Sequence, residues 1–493
     1  MPLRIVRRAL IAVFVFFVLS APFRGDFTRN LPIGGFGAFY CGGTVVRAGG
    51  DPYRVEPLRS CEQKLPAYSN YGIEGSVEPV PLPGYAIAPF CLLSLLPFKA
   101  AFVLFSALSA LATIAAVLAL AKLTGLTPML IGSALLLGDL FHNLRFGELP
   151  PLVIGALAVA GLFVSRKRYW AAAAALGVAL IEPHVVLPAV FAVGIALPAM
   201  RRSLLCLGAA LLALTLIATG LHGAIEYVAR VLPVQAAAEL PASDQFSFSW
   251  ILNFLGASDT VALTLGSLSY ILAVGVGTTL AVSLARRFEE PAFLVYFPPA
   301  IAMIGGSFLH DIQIPIAVPA ALLLSARAGG VWSVIPVALL AVPWLQWDRL
   351  IEVATPVVTG AIAWEYGVLQ GRLRRAGAAF AAALAVLLLF RGLQYLDARP
   401  FHPAGPAPAS VAREGDAAEN ASENWFRYVR ASGYGTYSPQ WVAAKLPLWG
   451  ALLIIGAVGI GSLRRRSGGL RGLLPVESDY DGRLQTGDAR RGA

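Results

Sequence analysis

The sequence predicts an all-α polytopic membrane protein, and three observations lead there. Of its 493 residues, 57% are hydrophobic and 13% charged, against roughly 25% charged in a soluble domain. Apolar runs of about 14–24 residues recur from end to end, the length needed to cross a hydrocarbon layer ~30 Å thick. Arg and Lys fall in short clusters between those runs, while mean hydropathy is +0.70. The net charge of +10 therefore reads as topology, with basic loops held in the cytoplasm, and not as a nucleic-acid footprint.

Taken in order, Arg4, Arg7 and Arg8 precede the run Ala9 to Phe23. Pro22 and Phe23 spoil a small-x-small cleavage site, so this reads as an uncleaved first helix with a cytoplasmic N-terminus. The polar segment Arg24 to Gly84 is then outside. It carries Asp26, Asp51, Glu56, Glu62, Glu74 and Glu78, a turn at Gly49 to Tyr53, and two cysteines. A Pro-broken piece follows, Ala86 to Pro97, and then the spans Lys99–Ala121, Pro128–Phe141, Leu152–Val164, Tyr169–Ile181, Val185–Met200 and Ser203–Leu221.

A second outer loop runs from His222 to about Thr260. Val261–Leu284, Ala292–Leu309, Ile312–Ala326, Val331–Trp347, Ile351–Gln370 and Ala376–Tyr395 are the next spans. A third outer segment, 396–445, includes an aromatic stretch with Trp425, Phe426, Tyr428 and Trp441, which reads as an interfacial belt more readily than as a sugar platform. Leu446–Leu463 closes the membrane domain, residues 1–463, and the polar, Gly-rich residues 464–493 read as a disordered cytoplasmic tail. This makes about 12–14 transmembrane helices with both termini inside. More than half of the 38 Arg and Lys fall in the inner loops and tail, as the positive-inside bias requires.

Charged groups near membrane depth are costly and so are candidates for function. Here they gather on one side. Arg145, Glu148, Glu182, His184, His310 and Asp311 all fall at outer helix ends, the side of the first polar segment. A transporter more often places its site near the midplane. Asp26 and Asp51 are the candidate catalytic acids, Asp51 standing before Pro52 where a turn role competes. Arg145 and His184 are the candidate phosphate contacts, with a surface pair to Glu148 competing for Arg145. Tyr40, Tyr53, Glu148, Glu182, His310 and Asp311 are the candidate site lining. Cys41 and Cys61 lie where a disulfide is permitted, either bonded or as two free thiols. Cys91 and Cys206 sit in apolar context. No metal-ligand spacing, P-loop, GxSxG or HExxH is present, which argues against nucleotide hydrolysis and the common soluble hydrolases.

Several motifs occur in a telling order. Phe36-Gly-Ala-Phe39-Tyr40-Cys-Gly-Gly-Thr comes first, then Gly49-Gly50-Asp51-Pro52-Tyr53 and Pro81-Leu-Pro-Gly-Tyr85. Arg145-Phe-Gly-Glu-Leu-Pro and Glu182-Pro183-His184 follow. Over roughly residues 20–320 the chain resembles glycosyltransferase family 87, polytopic enzymes of the GT-C type that take a sugar from a polyprenyl-phosphate donor. The resemblance implies a GT-C-like bundle, an inverting hexosyl or pentosyl transfer with a mannose-like sugar, and no cofactor or metal. It also implies a lipid or glycan acceptor at the outer face of a bacterial inner membrane, with membrane lipids around it and no nucleic-acid partner. Family members usually carry an Asp before the Phe of the first motif, where this chain has Gly35. The base is then expected to be Asp26 or another acid of the loop. Glu182 stands where the family often has Lys, leaving His184 as the positive partner. The alternatives are a lipid or solute transporter or flippase, which would need a polar path to both faces, and a non-catalytic relative of the glycosyltransferases.

Overall fold

A computed structural model describes residues 34–65, 77–136, 140–242, 245–341, 377, 418–432 and 439–464. The expected first helix, Asp26, the spans 351–370 and 376–395 and the tail beyond Arg464 lie outside these residues, save for residue 377. Among the described residues the chain is helical, with two isolated β-bridges and no strand.

The described part of the first polar segment contains two helices. α1 spans Gly34–Arg47 and α2 spans Val55–Glu62. The Cys41–Cys61 disulfide ties the two together. α3 (Gly84–Leu93) crosses α1 closely, since a Cβ on Gly43 would meet the Phe90 backbone at 2.3 Å. Next come α4 (Phe98–Thr124), α5 (Pro128–Leu136), α6 (Leu140–Phe146), α7 (Pro150–Ser165), α8 (Tyr169–Ala179) and α9 (Pro183–Ala196). α4 ends on Gly125, whose φ of 71° supplies the left-handed cap that helix ends favour. At the α4–α7 crossing a Cβ on Gly155 would lie 2.5 Å from the Ala112 carbonyl oxygen, the small-residue contact by which apolar helices approach.

α10 (Arg201–Glu226) breaks at Gly220, where φ is 67°, at the end of the apolar run. The expected second outer loop is therefore helical in large part: α10 continues past His222, a π turn follows, and α11 spans Leu232–Glu239. α12 (Phe248–Phe254) leads into α13 (Asp259–Phe288), which Ser258 caps through Val261 N–H and which ends on Arg286 and Arg287, the charge order a helix dipole favours. α14 (Phe293–Ala302) is shorter than the span expected there and is buried along its whole length. A 3-10 segment (Asp311–Ala317) and α15 (Val318–Ala328) follow, then α16 (Val331–Leu340), α17 (Ala421–Ser432) and α18 (Pro439–Arg464).

Among the described residues, five helical stretches are long and apolar enough to cross a membrane, and five shorter apolar helices of 10–17 residues accompany them. α14 packs against α9, α13, α7 and α15 at the centre. α10 and α13 turn apolar side chains outward: Ile217 is 82% exposed and Ile271 68%. In water such a surface would be costly, whereas hydrocarbon solvates it. The chain is a multi-pass membrane protein.

The two ends of the bundle differ in chemistry. At one, Arg327 donates to Glu290 Oε2 (2.9 Å) and to the Leu123 carbonyl (3.0 Å), and Ser165 Oγ donates to Glu290 Oε1. Arg166, Arg168, Arg286 and Arg287 flank the same helix ends. Acids dominate the opposite end.

Candidate active site

Glu148 is placed by the turn between α6 and α7. Gly147 ends α6 with φ of 71°, and Pro150 and Pro151 start α7, positions suited to Gly and Pro respectively. The Glu148 amide bonds back to the Asn143 carbonyl at 2.9 Å. Its carboxylate reaches across to α1, where Oε1 accepts the Gly35 N–H at 3.0 Å. A Cβ on Gly35 would meet Glu148 Oε2 at 2.6 Å.

Glu78 lies on the extended Val77–Pro83 segment before α3. Its amide donates to Glu62 Oε2 at 3.1 Å, and Glu62 is itself buried beside the disulfide. Burial, reinforced by the Glu148 and Glu239 carboxylates, pushes Glu78 up to about 8. Burial and the neighbouring Glu78 likewise hold Glu62 well above the usual carboxylate range. Glu78 is deeply enclosed yet keeps partial solvent access, as does His184.

Glu182 sits in the turn between α8 and α9, where Pro183 opens the second helix. Gln313 Nε2 donates to Glu182 Oε2 at 2.6 Å, and His184 Nε2 lies 3.7 Å from the same oxygen. Burial raises Glu182 to about 7, against downward pulls from Gln313 and His310 and with a further push upward from Glu148. His184 Nε2 has no hydrogen-bond partner among the described residues, while Tyr270 O–H bonds the His184 carbonyl.

The 3-10 segment supplies the other wall. His310 Nε2 lies 3.2 Å from Glu239 Oε2, and Glu239 Oε1 accepts from Trp425 Nε1 (2.8 Å) and Gln235 Nε2 (2.9 Å). Asp311 is buried next to His310, and the Asn143 side chain bonds the Ile312 carbonyl at 2.8 Å, tying α6 to this wall.

Of the residues singled out in the sequence, Glu148, Glu182, His184, His310 and Asp311 thus meet at one end of the bundle. Arg145 lies on α6 three residues before Glu148. Asp51 is held in its turn by the Tyr53 amide (2.9 Å) and Arg54 Nε (3.2 Å), and Arg54 joins it to Glu226 rather than to Glu148 or Glu182. Tyr40 and Tyr53 are also kept out, because their hydroxyls bond the Leu96 and Leu82 carbonyls at 2.9 and 2.8 Å. The aromatic stretch on α17 differs from the belt expected of it: Trp425 and Tyr428 are buried, at 8% and 6% exposure.

Glu78, Glu239, Gln313 and Trp425 escape the sequence reading as site residues. Glu78 carries a usable signal, a lone charge within the Pro/Val-rich run Val77-Glu-Pro-Val-Pro-Leu-Pro83. Among the described residues no group of three or more His, Cys, Asp or Glu has metal-holding geometry. What the cluster offers chemically is proton acceptance by carboxylates at least one of which sits near neutrality.

Residues 83–309 match the sequence model of glycosyltransferase family 87. No curated protein and no solved structure matches this chain. The matched segment holds Glu148, Glu182, His184 and Glu239, and leaves α1, α2, Glu78 and α17 outside it.

Proposed function

We propose that this membrane protein, whose residues 83–309 match the sequence model of glycosyltransferase family 87, is a glycosyltransferase that takes its sugar from a polyprenyl-phosphate donor and delivers it, with inversion, to a lipid or glycan acceptor. The sugar is a mannose-like hexose or a pentose. The site opens at the outer face of a bacterial inner membrane, with the basic end of the bundle in the cytoplasm, as the positive-inside bias orients it. The membrane domain covers 1–463.

The observation that carries this reading is the position of Glu148. Its carboxylate fills the space where a side chain at Gly35 would stand, beside Glu78 and Glu182. We assign it the role of base. It takes the proton of the acceptor hydroxyl as that oxygen attacks the anomeric carbon. The bond from that carbon to the phosphate oxygen breaks, and its electron pair leaves with the polyprenyl phosphate. Cations must receive the developing phosphate charge. Arg145 is assigned that role, while His184, which burial lowers to about 4 and so leaves neutral, is assigned a hydrogen bond to the phosphate through an Nε2 with no hydrogen-bond partner among the described residues. The raised acids suit a site that holds protons near neutral pH. Asp26 is the competing base.

A transporter is less well supported. The polar groups at the two ends are separated by α14, all of whose residues are buried and none charged.

The test incubates purified protein with a panel of polyprenyl-phosphate sugars and follows release of the lipid phosphate. Release that depends on Glu148 supports the assignment. No release from any donor, with binding intact, rejects the enzyme reading.

A further inference from the structure

Trp425 stands more than a hundred residues beyond the family-matched segment, yet its indole N–H reaches the acid end of the bundle. α17 is pinned there on three sides. Glu423 takes both Nε and an Nη of Arg230 (2.9 and 2.8 Å), Arg430 pairs with Asp259, and the Ala421 amide bonds the Tyr53 carbonyl at 2.8 Å. Trp425 stacks on Tyr428 at 5.4 Å and donates to Glu239 Oε1 at 2.8 Å.

From Glu239 a line of directional bonds continues. Glu239 Oε2 meets His310 Nε2 at 3.2 Å. The His310 ring accepts the Gln313 backbone N–H in a capping box, which falls to its other nitrogen and so leaves the ring proton on Nε2, toward Glu239. His310 N–H in turn donates to Gln313 Oε1 at 3.0 Å. That fixes the Gln313 amide with Nε2 outward, where it donates to Glu182 Oε2 at 2.6 Å. His184 lies 3.7 Å beyond. His310 links the two halves of the line: its ring, facing Glu239, accepts the Gln313 backbone N–H, and its own backbone N–H holds Gln313 Oε1.

We infer that Trp425 is a positioning residue: acting through Glu239, His310 and Gln313, it sets where the Glu182 carboxylate and the His184 ring stand. α17 thereby completes a site whose other parts lie mostly within the matched segment. Removing the indole N–H leaves Glu239 Oε1 with Gln235 as its remaining side-chain donor in the line. The carboxylate can then rotate, the His310 ring loses its fixed partner, and the capping box that it closes with Gln313 weakens, loosening Gln313 from Glu182. The importance of this for turnover rests on the proposed glycosyl transfer; the positioning itself does not.

The test reads Glu182 directly. Infrared titration of its carboxyl band, identified by difference against Glu182→Gln, gives the midpoint in the wild type and in Trp425→Phe. Gln313 holds that midpoint down, so a loosened Gln313 must move it up. Gln313→Leu cuts the same line and must also move it up, and the double variant must go no further than Gln313→Leu alone. Glu239→Gln serves as a second cut should the Phe variant fold poorly. Arg430→Ala, which weakens the docking of α17 but not the line, must leave the midpoint in place. In the transfer assay Trp425→Phe is expected to lower kcat/KM about tenfold, a misplacement effect. An unmoved Glu182 midpoint, or shifts that add in the double variant, overturns the proposal. A wild-type chain that transfers no sugar refutes the glycosyl-transfer reading and leaves the titration test intact.

Discussion

Gly35 and Glu148 share one space. The Gly35 N–H donates to Glu148 Oε1 at 3.0 Å, and a Cβ at position 35 would lie 2.6 Å from Oε2. A carboxylate from the α6–α7 turn therefore stands where one from α1 would otherwise project. The glycine is needed for that carboxylate to be there at all.

An exchange experiment follows from this. Glu148→Gln is expected to reduce transfer at least a hundredfold, in the range of a lost general base, while Asp26→Asn retains most of it. Gly35→Ala should lower transfer by displacing Glu148, and Gly35→Asp combined with Glu148→Ala should recover part of it. Initial rates of lipid-phosphate release measure all four. Full activity in Glu148→Gln together with loss in Asp26→Asn would hand the role to Asp26.

Donor binding should depend on the Arg145 cation and the neutral His184 ring. His184→Ala and Arg145→Ala are each expected to weaken donor affinity by about tenfold or more, as for a charge-assisted bond worth roughly 1.5–3 kcal/mol. Titration calorimetry or competition with polyprenyl phosphate in detergent would show it. Unchanged affinity in both variants would remove them from the site.

Stability should fall as pH rises through neutrality. Glu78 is raised from 4.5 to about 8 in the folded chain, so the native state holds a proton that the unfolded state has lost. Its contribution is fully present below pH 4.5 and is lost as pH climbs through about 8. Tm in detergent should therefore decline between pH 5 and 8, and Glu78→Gln should flatten that decline. A Tm that rises over the window in the wild type contradicts the assignment.

The disulfide joins α1, which presents Gly35, to the residue next to Glu62, which holds the Glu78 amide. Cys41→Ser with Cys61→Ser is expected to cost about 3 kcal/mol, for a loop of 20 residues. Transfer should fall more in that variant than in a surface variant of equal Tm. Equal losses would mean that the bond serves stability alone.

The interior at the acid end explains why some of the site was legible and some not. Glu148, Glu182, His184 and His310-Asp311 stood out because each is a charge at the edge of an apolar run, where desolvation makes polarity expensive. Glu239 and Gln313 gave no such signal. Glu239 lies in a mixed stretch and Gln313 is an uncharged residue just inside an apolar run, and their importance comes from partners 71 to 186 residues away. Trp425 misled outright, since an aromatic near a membrane helix reads as an interfacial anchor until its N–H is seen to reach Glu239.

Composition and hydropathy period were by themselves enough to establish a helical membrane protein with its bases toward one end of the bundle and its acids toward the other. Those properties are local: a run of apolar residues can satisfy its backbone only as a helix in hydrocarbon, whatever surrounds it. Which acid stands beside Gly35, and which helix holds Glu239 in place, only the tertiary structure decided. Both depend on close approach between elements distant in the chain, and hydrogen bonds of about 3 Å are set by packing that no single stretch of sequence contains.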